Sequence, residues 1–254
     1  NEELPPMVDW YNNEIKRLGI DVRCNTKVDV NYLKDFGADE VILAVGPETT
    51  SPDVPGKDRK NVIDSHALKE LVEGKGTPGK GFMWGLSCFG MGILGAPLGL
   101  MQWGLGTHLL VKKRMAVIGG GFAGIEVASS MNEGREVTVI EPAKKAGAEI
   151  GIIDKNPTIN LVKSKGVKLM PLTKLVEVTK KGAKVQNVET GEEQLIECDT
   201  VLTSLGVEQN TKLYDEIAKA FPNAKLIGDA TTPAGKVYRT LEAVKGGYQA
   251  SMAL

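Results

Sequence analysis

The sequence predicts an α/β fold of the doubly wound kind, in which parallel strands alternate with helices. Three observations carry the prediction. Apolar runs end at or near glycine: Glu40–Val45 before Gly46, Met115–Ile118 before Gly119, and Asp199–Ser204 with Gly206 two residues on. Segments with apolar residues at helical spacing separate these runs. One run opens a strand–glycine turn–helix–strand unit that extends from Met115 to Glu141.

Each element follows in chain order. Leu4, Val8, Tyr11, Ile15 and Leu18 recur at helical spacing, and Gly19 is a stop signal. Ile20 to Cys24 alternates as a short strand. Glu40–Val45 reads as a buried strand ending at Gly46-Pro47, followed by a proline-containing loop from Ser51 to Gly56. Residues 62–73 read as a helix, and Gly74 to Gly81 as a break. Gly81 to Val111 holds eight glycines and, with His108 neutral, no charge. Gly95-Ala96-Pro97 divides it into halves of about 21 Å each if helical, short of a hydrocarbon core of roughly 30 Å. Three readings stay open for this stretch: a buried inter-domain or subunit element, a lid over an apolar substrate channel, or a hairpin at a membrane surface.

Past Glu141 a helix is expected near Thr158 to Lys165, stopped by Gly166. Val167–Met170, Leu175–Thr179 and Ala183–Val188 read as strands, the last two forming a hairpin around Lys180-Lys181-Gly182. Leu195–Cys198 alternates, and Asp199–Ser204 is a further strand. Leu213, Tyr214, Ile217, Ala218 and Phe221 mark a helix. Leu226–Ala230 is a strand running into a turn, and Thr240–Leu254 a closing helix.

Composition narrows the class of function. A chain of 254 residues has room for one large or two modest domains, and 42% hydrophobic with 25% charged residues is a soluble globular balance. The formal charge of −1 gives no net field toward nucleic acid or anionic lipid. Cys24, Cys88 and Cys198 lie far apart, without C-x-x-C or metal-type spacing, so no disulfide framework, metal site or dithiol relay is expected. A reducing, cytoplasmic setting fits, and no signal peptide is evident. Asn1-Glu2-Glu3-Leu4 lacks a leading Met, so a processed chain or an excised fragment is expected. Histidine acid–base work is not expected from His66 and His108 alone, and no Ser-His-Asp, Cys-His or paired-carboxylate arrangement stands out.

The Met115–Glu141 unit points to a dinucleotide. Gly119-Gly120-Gly121-Phe122-Ala123-Gly124 is G-x-G-x-x-G between a strand and a helix. Gly119 permits the tight turn, Gly121 lets backbone approach a pyrophosphate, and Gly124 lets the helix pack closely. The helix N-terminus offers N–H groups and partial positive charge to phosphates. Glu141 lies 22 positions after Gly119, where a carboxylate binds a ribose diol and repels a 2′-phosphate, so NAD(H) is expected over NADP(H). Lys144 and Lys145 follow closely and are within reach of such a phosphate.

Ala224-Lys225-Leu226-Ile227-Gly228-Asp229-Ala230 places an acid at a strand tip, where it can bind a sugar or ribityl hydroxyl or cap a turn. With these motifs together the chain resembles the pyridine nucleotide–flavin reductases. Asp39 to Gly46 is similar to the family's strand-to-glycine crossover, Gly119 to Glu126 to its G-G-G-x-x-G-x-E motif, and Gly228-Asp229 to its FAD ribityl motif. More closely, the chain resembles the C-terminal part of 2-enoate reductase and 2,4-dienoyl-CoA reductase flavoenzymes, relatives of old yellow enzyme. Pro55-Gly56-Lys57-Asp58, Asn61-Val62, Asn210 with Leu213-Tyr214, and the apolar insert support that branch.

The resemblance implies a Rossmann-like NAD-binding domain inserted in a partial FAD-type α/β domain. Residues 1–65 would be the first FAD-type part, 66–111 a linker with the apolar insert, 112–199 the NAD-binding domain, and 200–254 the FAD-type return. It implies hydride transfer from NADH to FAD and, in the intact enzyme, reduction of an activated C=C bond. Gly119, Gly120, Gly121, Phe122, Ala123, Gly124 and Glu141 would hold NAD(H). Gly46, Gly206, Gly228 and Asp229 would serve the flavin side, and Glu126 would stand near the nicotinamide as the catalytic candidate. The chain departs from the pattern in lacking an upstream G-x-G-x-x-G before Leu4, and the branch's N-terminal barrel with FMN and an iron–sulfur cluster. A missing barrel is thus the expected partner. A stand-alone NADH:flavin or ferredoxin-type reductase, and a non-catalytic NAD(H)-sensing module, are the alternatives.

Overall fold

The computed structural model describes residues 4–64, 67, 112–148, 150–233 and 240–254. The apolar run 81–111 and most of the helix expected over 62–73 lie outside these residues. The chain divides into two compact units, 1–43 with 212–225 and 254, and 44–211 with 226–253.

In the first unit, α1 spans Leu4–Arg17, in agreement with the apolar spacing. α2 spans Val30–Phe36, a helix the apolar pattern did not indicate. Its signals are end signals: the Asp29 carboxylate accepts the Tyr32 N–H at 2.9 Å, and Gly37 closes the helix at φ +74°. The strand expected at Ile20–Cys24 is absent. That segment is irregular, with Ile20 and Val22 exposed, because no other described strand lies beside it to satisfy its backbone. Of Glu40–Val45, only Ile42–Leu43 is strand, β1, with Val41 and Leu43 buried and Ile42 outward.

The second unit is built on a five-stranded parallel sheet. Its strands, in chain order, are β3 (Val62–Ile63), β4 (Arg114–Ile118), β5 (Glu136–Ile140), β6 (Lys168–Met170) and β10 (Thr200–Thr203). Their spatial order is β3-β10-β4-β5-β6. Val62 and Ile63 are therefore strand and not the start of a helix. They pair with Val201 and Leu202 and are 2% and 3% exposed, too buried for a surface helix turn. The sheet also reaches past the span 112–199 at both ends, since β10 bonds to β3 on one side and β4 on the other.

The two faces of the sheet are covered differently. Side chains alternate along β4: Met115 and Val117 face one cluster, Ala116 and Ile118 the other. The first cluster packs against helices α3 (Phe122–Met131) and α4 (Ile152–Ser164) through Ile125, Ala128 and Val162. The second packs against an antiparallel meander, β7 (Thr173–Val178), β8 (Gly182–Asn187) and β9 (Glu193–Glu197), through Val178, Ala183 and Val185. So helices line one face and a second sheet, which includes the expected hairpin, lines the other. α4 begins six residues before the expected Thr158, because its first bond, Lys155 N–H to the Gly151 carbonyl, forms upstream of Pro157.

A two-stranded ribbon joins β2 (Glu48–Thr49) to β11 (Val207–Glu208). In the first unit again, α5 covers Lys212–Ile217. β12 (Lys225–Leu226) leads into a 3₁₀ turn, Gly228–Thr231, and α6 spans Thr240–Met252. α6 lays small residues over that turn. A Cβ on Gly246 would meet the Gly228 nitrogen at 3.6 Å, and one on Gly228 would meet the Ala243 Cβ at 3.9 Å. No helix of the described residues is long and apolar enough to cross a membrane.

Candidate functional site

The G-x-G-x-x-G segment forms the turn from β4 into α3. Gly119 has φ +102°, and a Cβ there would lie 2.1 Å from the Ser204 carbonyl oxygen at the tip of β10. A Cβ on Gly124 would lie 1.9 Å from the Gly119 carbonyl oxygen. The first and last glycines of the motif therefore touch each other. Helix, turn and the neighbouring strand tip close to a distance that no side chain permits. Gly121 is the N-cap of α3 and, being glycine, offers that end no side chain of its own. Phe122 and Ala123, in the first turn, are exposed.

Glu141, at the tip of β5, turns toward this loop. Its Oε2 accepts the Gly120 N–H at 2.7 Å and its Oε1 the Ala143 N–H at 2.7 Å. A Cβ on Gly120 would stand 2.9 Å from the Glu141 Cβ. Gly147, at φ +68°, donates to the Gly120 carbonyl and brings the loop after Glu141 back over the glycine turn. The sequence placed Glu141 at the strand tip but did not show that its carboxylate ties two backbone segments together. Gly120 thus has its N–H engaged by Glu141. Lys144 and Lys145 extend from that loop, and with Lys155 and Lys163 of α4 they line a cavity of about 470 Å³. Lys144 Nζ stands 3.8 Å from Glu189. Glu126 lies in the second turn of α3 and is exposed.

Gly46 and Gly206 both adopt left-handed backbone, at φ +73° and +88°. They flank the β2–β11 ribbon, where Thr50 donates both its N–H and its hydroxyl to the Gly206 carbonyl. Gly228, at φ +67°, opens the 3₁₀ turn. Asp229 follows it, and one of its carboxylate oxygens, Oδ1, is buried with no hydrogen-bond partner among the described residues. A carboxylate oxygen removed from water without a donor is unfavourable by several kcal/mol at most sites, roughly 1–3 even for a neutral group. An incoming hydroxyl would satisfy it.

The base of the sheet holds a charged cluster with a structural role. Arg114 at the start of β4 grips Asp199 with Nε at 3.1 Å and Nη2 at 2.9 Å, and reaches Glu197 with Nη1 at 3.0 Å. The Arg114 hydrogen bonds hold the Asp199 carboxyl below its ordinary range. Burial pushes the thiol of Cys198, between the sheet and the meander, up.

Residues 22–232 match the model of the pyridine nucleotide-disulphide oxidoreductase family. The chain is similar to cinnamate reductase of Clostridium sporogenes, 26% identical over 96% of this chain and 30% of that protein. It is also similar to NADH oxidase of Thermoanaerobacter brockii, 23% identical over 95% of this chain and 32% of that one. Among solved structures, 2-naphthoyl-CoA reductase superposes with a TM-score of 0.74 at 22% identity, over 98% of this chain and 32% of that chain. The chain thus spans about a third of the length of the relatives it matches. The family binds FAD and NAD(P)H, and the match is consistent with the C-terminal part of 2-enoate-reductase-like flavoproteins. With residues 22–232 matched, the glycine turn among them, the chain belongs to the pyridine nucleotide-disulphide oxidoreductases.

Proposed function

We propose that this chain is the cofactor-binding portion of a larger NAD(P)H-dependent flavoprotein reductase, and that the intact protein reduces an activated C=C bond. The observation that carries the reading is the contact between Gly119 and Gly124, closed by Ser204 and faced by Glu141. Gly119, Gly121 and Gly124, with the first turn of α3 at Phe122 and Ala123, would cradle the pyrophosphate. Gly120 would hold Glu141 in place, and the carboxylate's remaining lone pairs would accept the adenosine ribose hydroxyls. Glu126, exposed one turn into α3, would stand beside the nicotinamide. Asp229 would accept a ribityl hydroxyl at its open Oδ1, with Gly228 letting the backbone approach. Gly46 and Gly206, within the FAD-type spans 1–65 and 200–254, would serve the flavin side. When bound, the nicotinamide and flavin supply the electron donor and acceptor; the chain positions them and excludes water. The name of the cinnamate reductase supports a C=C substrate for the whole protein, and a barrel domain is the partner that the resemblance implies.

NADH is the nucleotide favoured by Glu141. The lysine-lined cavity beside it favours a second reading, in which a 2′-phosphate is accepted as well. Calorimetric titration of the purified chain with NADH, NADPH and FAD tests both. NADH binding tighter than NADPH by about tenfold or more supports the first, and equal affinities the second. Absence of binding by either nucleotide would sink the proposal.

A further inference from the structure

Two adjacent threonines end the Gly228–Thr231 turn, and their hydroxyls are in opposite situations. Thr231 donates its hydroxyl to the Gly228 carbonyl at 2.8 Å. Thr232 is fully buried, 0% exposed, and its Oγ1 has no hydrogen-bond partner among the described residues. Buried hydroxyls are almost always paired in folded proteins. An unpaired one in the same short turn as an unpaired carboxylate oxygen marks a place where polar atoms from elsewhere belong.

The turn geometry places the two residues one turn apart. Thr232 donates its N–H to the Asp229 carbonyl at 3.0 Å, an i to i+3 bond. That bond keeps the two Cα atoms within roughly 7 Å, and residues i and i+3 of 3₁₀ geometry eclipse each other. Asp229 Oδ1 can only accept when ionised; Thr232 Oγ1 can donate and accept. Together they match neighbouring hydroxyls of a neutral sugar alcohol, one donating to the carboxylate and one accepting from the threonine. A phosphate does not match, because the carboxylate would repel it.

We propose that Thr232 is a second ligand to the flavin's ribityl chain, acting with Asp229 as a two-residue polyol clamp. This rests on the flavin reading of the Gly228–Asp229 turn. A ribose of the nicotinamide nucleotide carries the same hydroxyl chemistry, so the test has two ligand arms.

The experiment titrates the protein with FAD, followed by quenching of flavin fluorescence, and separately with NADH. It also measures the melting temperature of the flavin-free protein. Thr232→Val keeps the shape and removes the hydroxyl. It is expected to weaken FAD binding by about tenfold while NADH binding stays within about threefold. The flavin-free variant should melt no lower than the wild type, since an unpaired buried hydroxyl is removed. Thr232→Ser restores a hydroxyl and should bind FAD within about threefold of the wild type. Thr231→Val should lower the flavin-free melting temperature, because its hydroxyl already serves the turn. Unchanged FAD affinity in Thr232→Val, a loss confined to NADH, or a lower flavin-free melting temperature would each overturn the inference. If the wild type itself fails to bind FAD, the flavin reading of the turn falls, and the Thr232 role with it.

Discussion

Glu141 and Asp229 both follow an apolar strand and both sit beside glycine, yet their carboxylates are in opposite states. Both oxygens of Glu141 already accept backbone N–H groups, from Gly120 and Ala143. Asp229 keeps one buried oxygen without a donor. The first acid is braced by the fold itself; the second, in the proposed reading, would be completed by a ligand hydroxyl. A braced site is held in its binding geometry by the fold, and an open one trades stability of the empty protein for affinity. The Glu141 turn should therefore tolerate loss of ligand, and the Asp229 turn should gain most from it.

The largest test of the braced site is steric. Gly124→Val puts a Cβ about where the Gly119 carbonyl oxygen lies, at 1.9 Å. It should destabilise the second unit by at least about 3 kcal/mol and abolish NADH binding, read by thermal melting and calorimetry. A folded variant that still binds NADH would show that the glycine contact is incidental.

The next test sets the acids against each other. Glu141→Gln leaves an NH₂ group facing one of two backbone donors, so it should destabilise the ligand-free protein by roughly 1–3 kcal/mol. Asp229→Asn removes a charge from a place with no donor, so the ligand-free protein should be no less stable, while FAD affinity falls. Equal losses of stability in the two variants would erase the distinction.

The smallest effect concerns a third acid. Asp199 has its pKa lowered by Arg114, so its contribution is present above the ordinary carboxylate range near 4 and is lost as pH falls through the lower folded value. Melting temperatures of wild type and Asp199→Asn should differ slightly at neutral pH and converge in acid. The pair is partly exposed, and solvent screening keeps the difference small.

Much of this site was legible in the sequence because its requirements are local. The six residues from Gly119 to Gly124 must make one turn, and Glu141 marks the next strand tip, so spacing alone suggested both. What Glu141 bonds to was not legible, since Ala143 and Gly120 come together only when the loop to Gly147 folds back. β3 was misread for a similar reason: two residues take their structure from Val201 and Leu202, far along the chain. α2 spans only seven residues and buries none of them, although Asp29 and Gly37 announce its ends. The meander was read strand by strand, but that it covers one face of the sheet is a tertiary fact.

The packing of α6 on the Gly228–Thr231 turn has a consequence for how the molecule moves. Gly246 and Gly247 sit in the middle of this 13-residue helix, where each disfavours helix by about 1 kcal/mol relative to alanine. A helix that short is marginal alone, so α6 owes its order to the turn beneath it. Its larger apolar residues, Leu241, Val244, Tyr248 and Met252, point outward and add no anchorage there. Opening of α6 is therefore a low-energy local event, and whatever immobilises the turn raises its cost. Amide exchange along 240–252 would report occupancy of the turn from outside it, as protection that rises when the turn is filled.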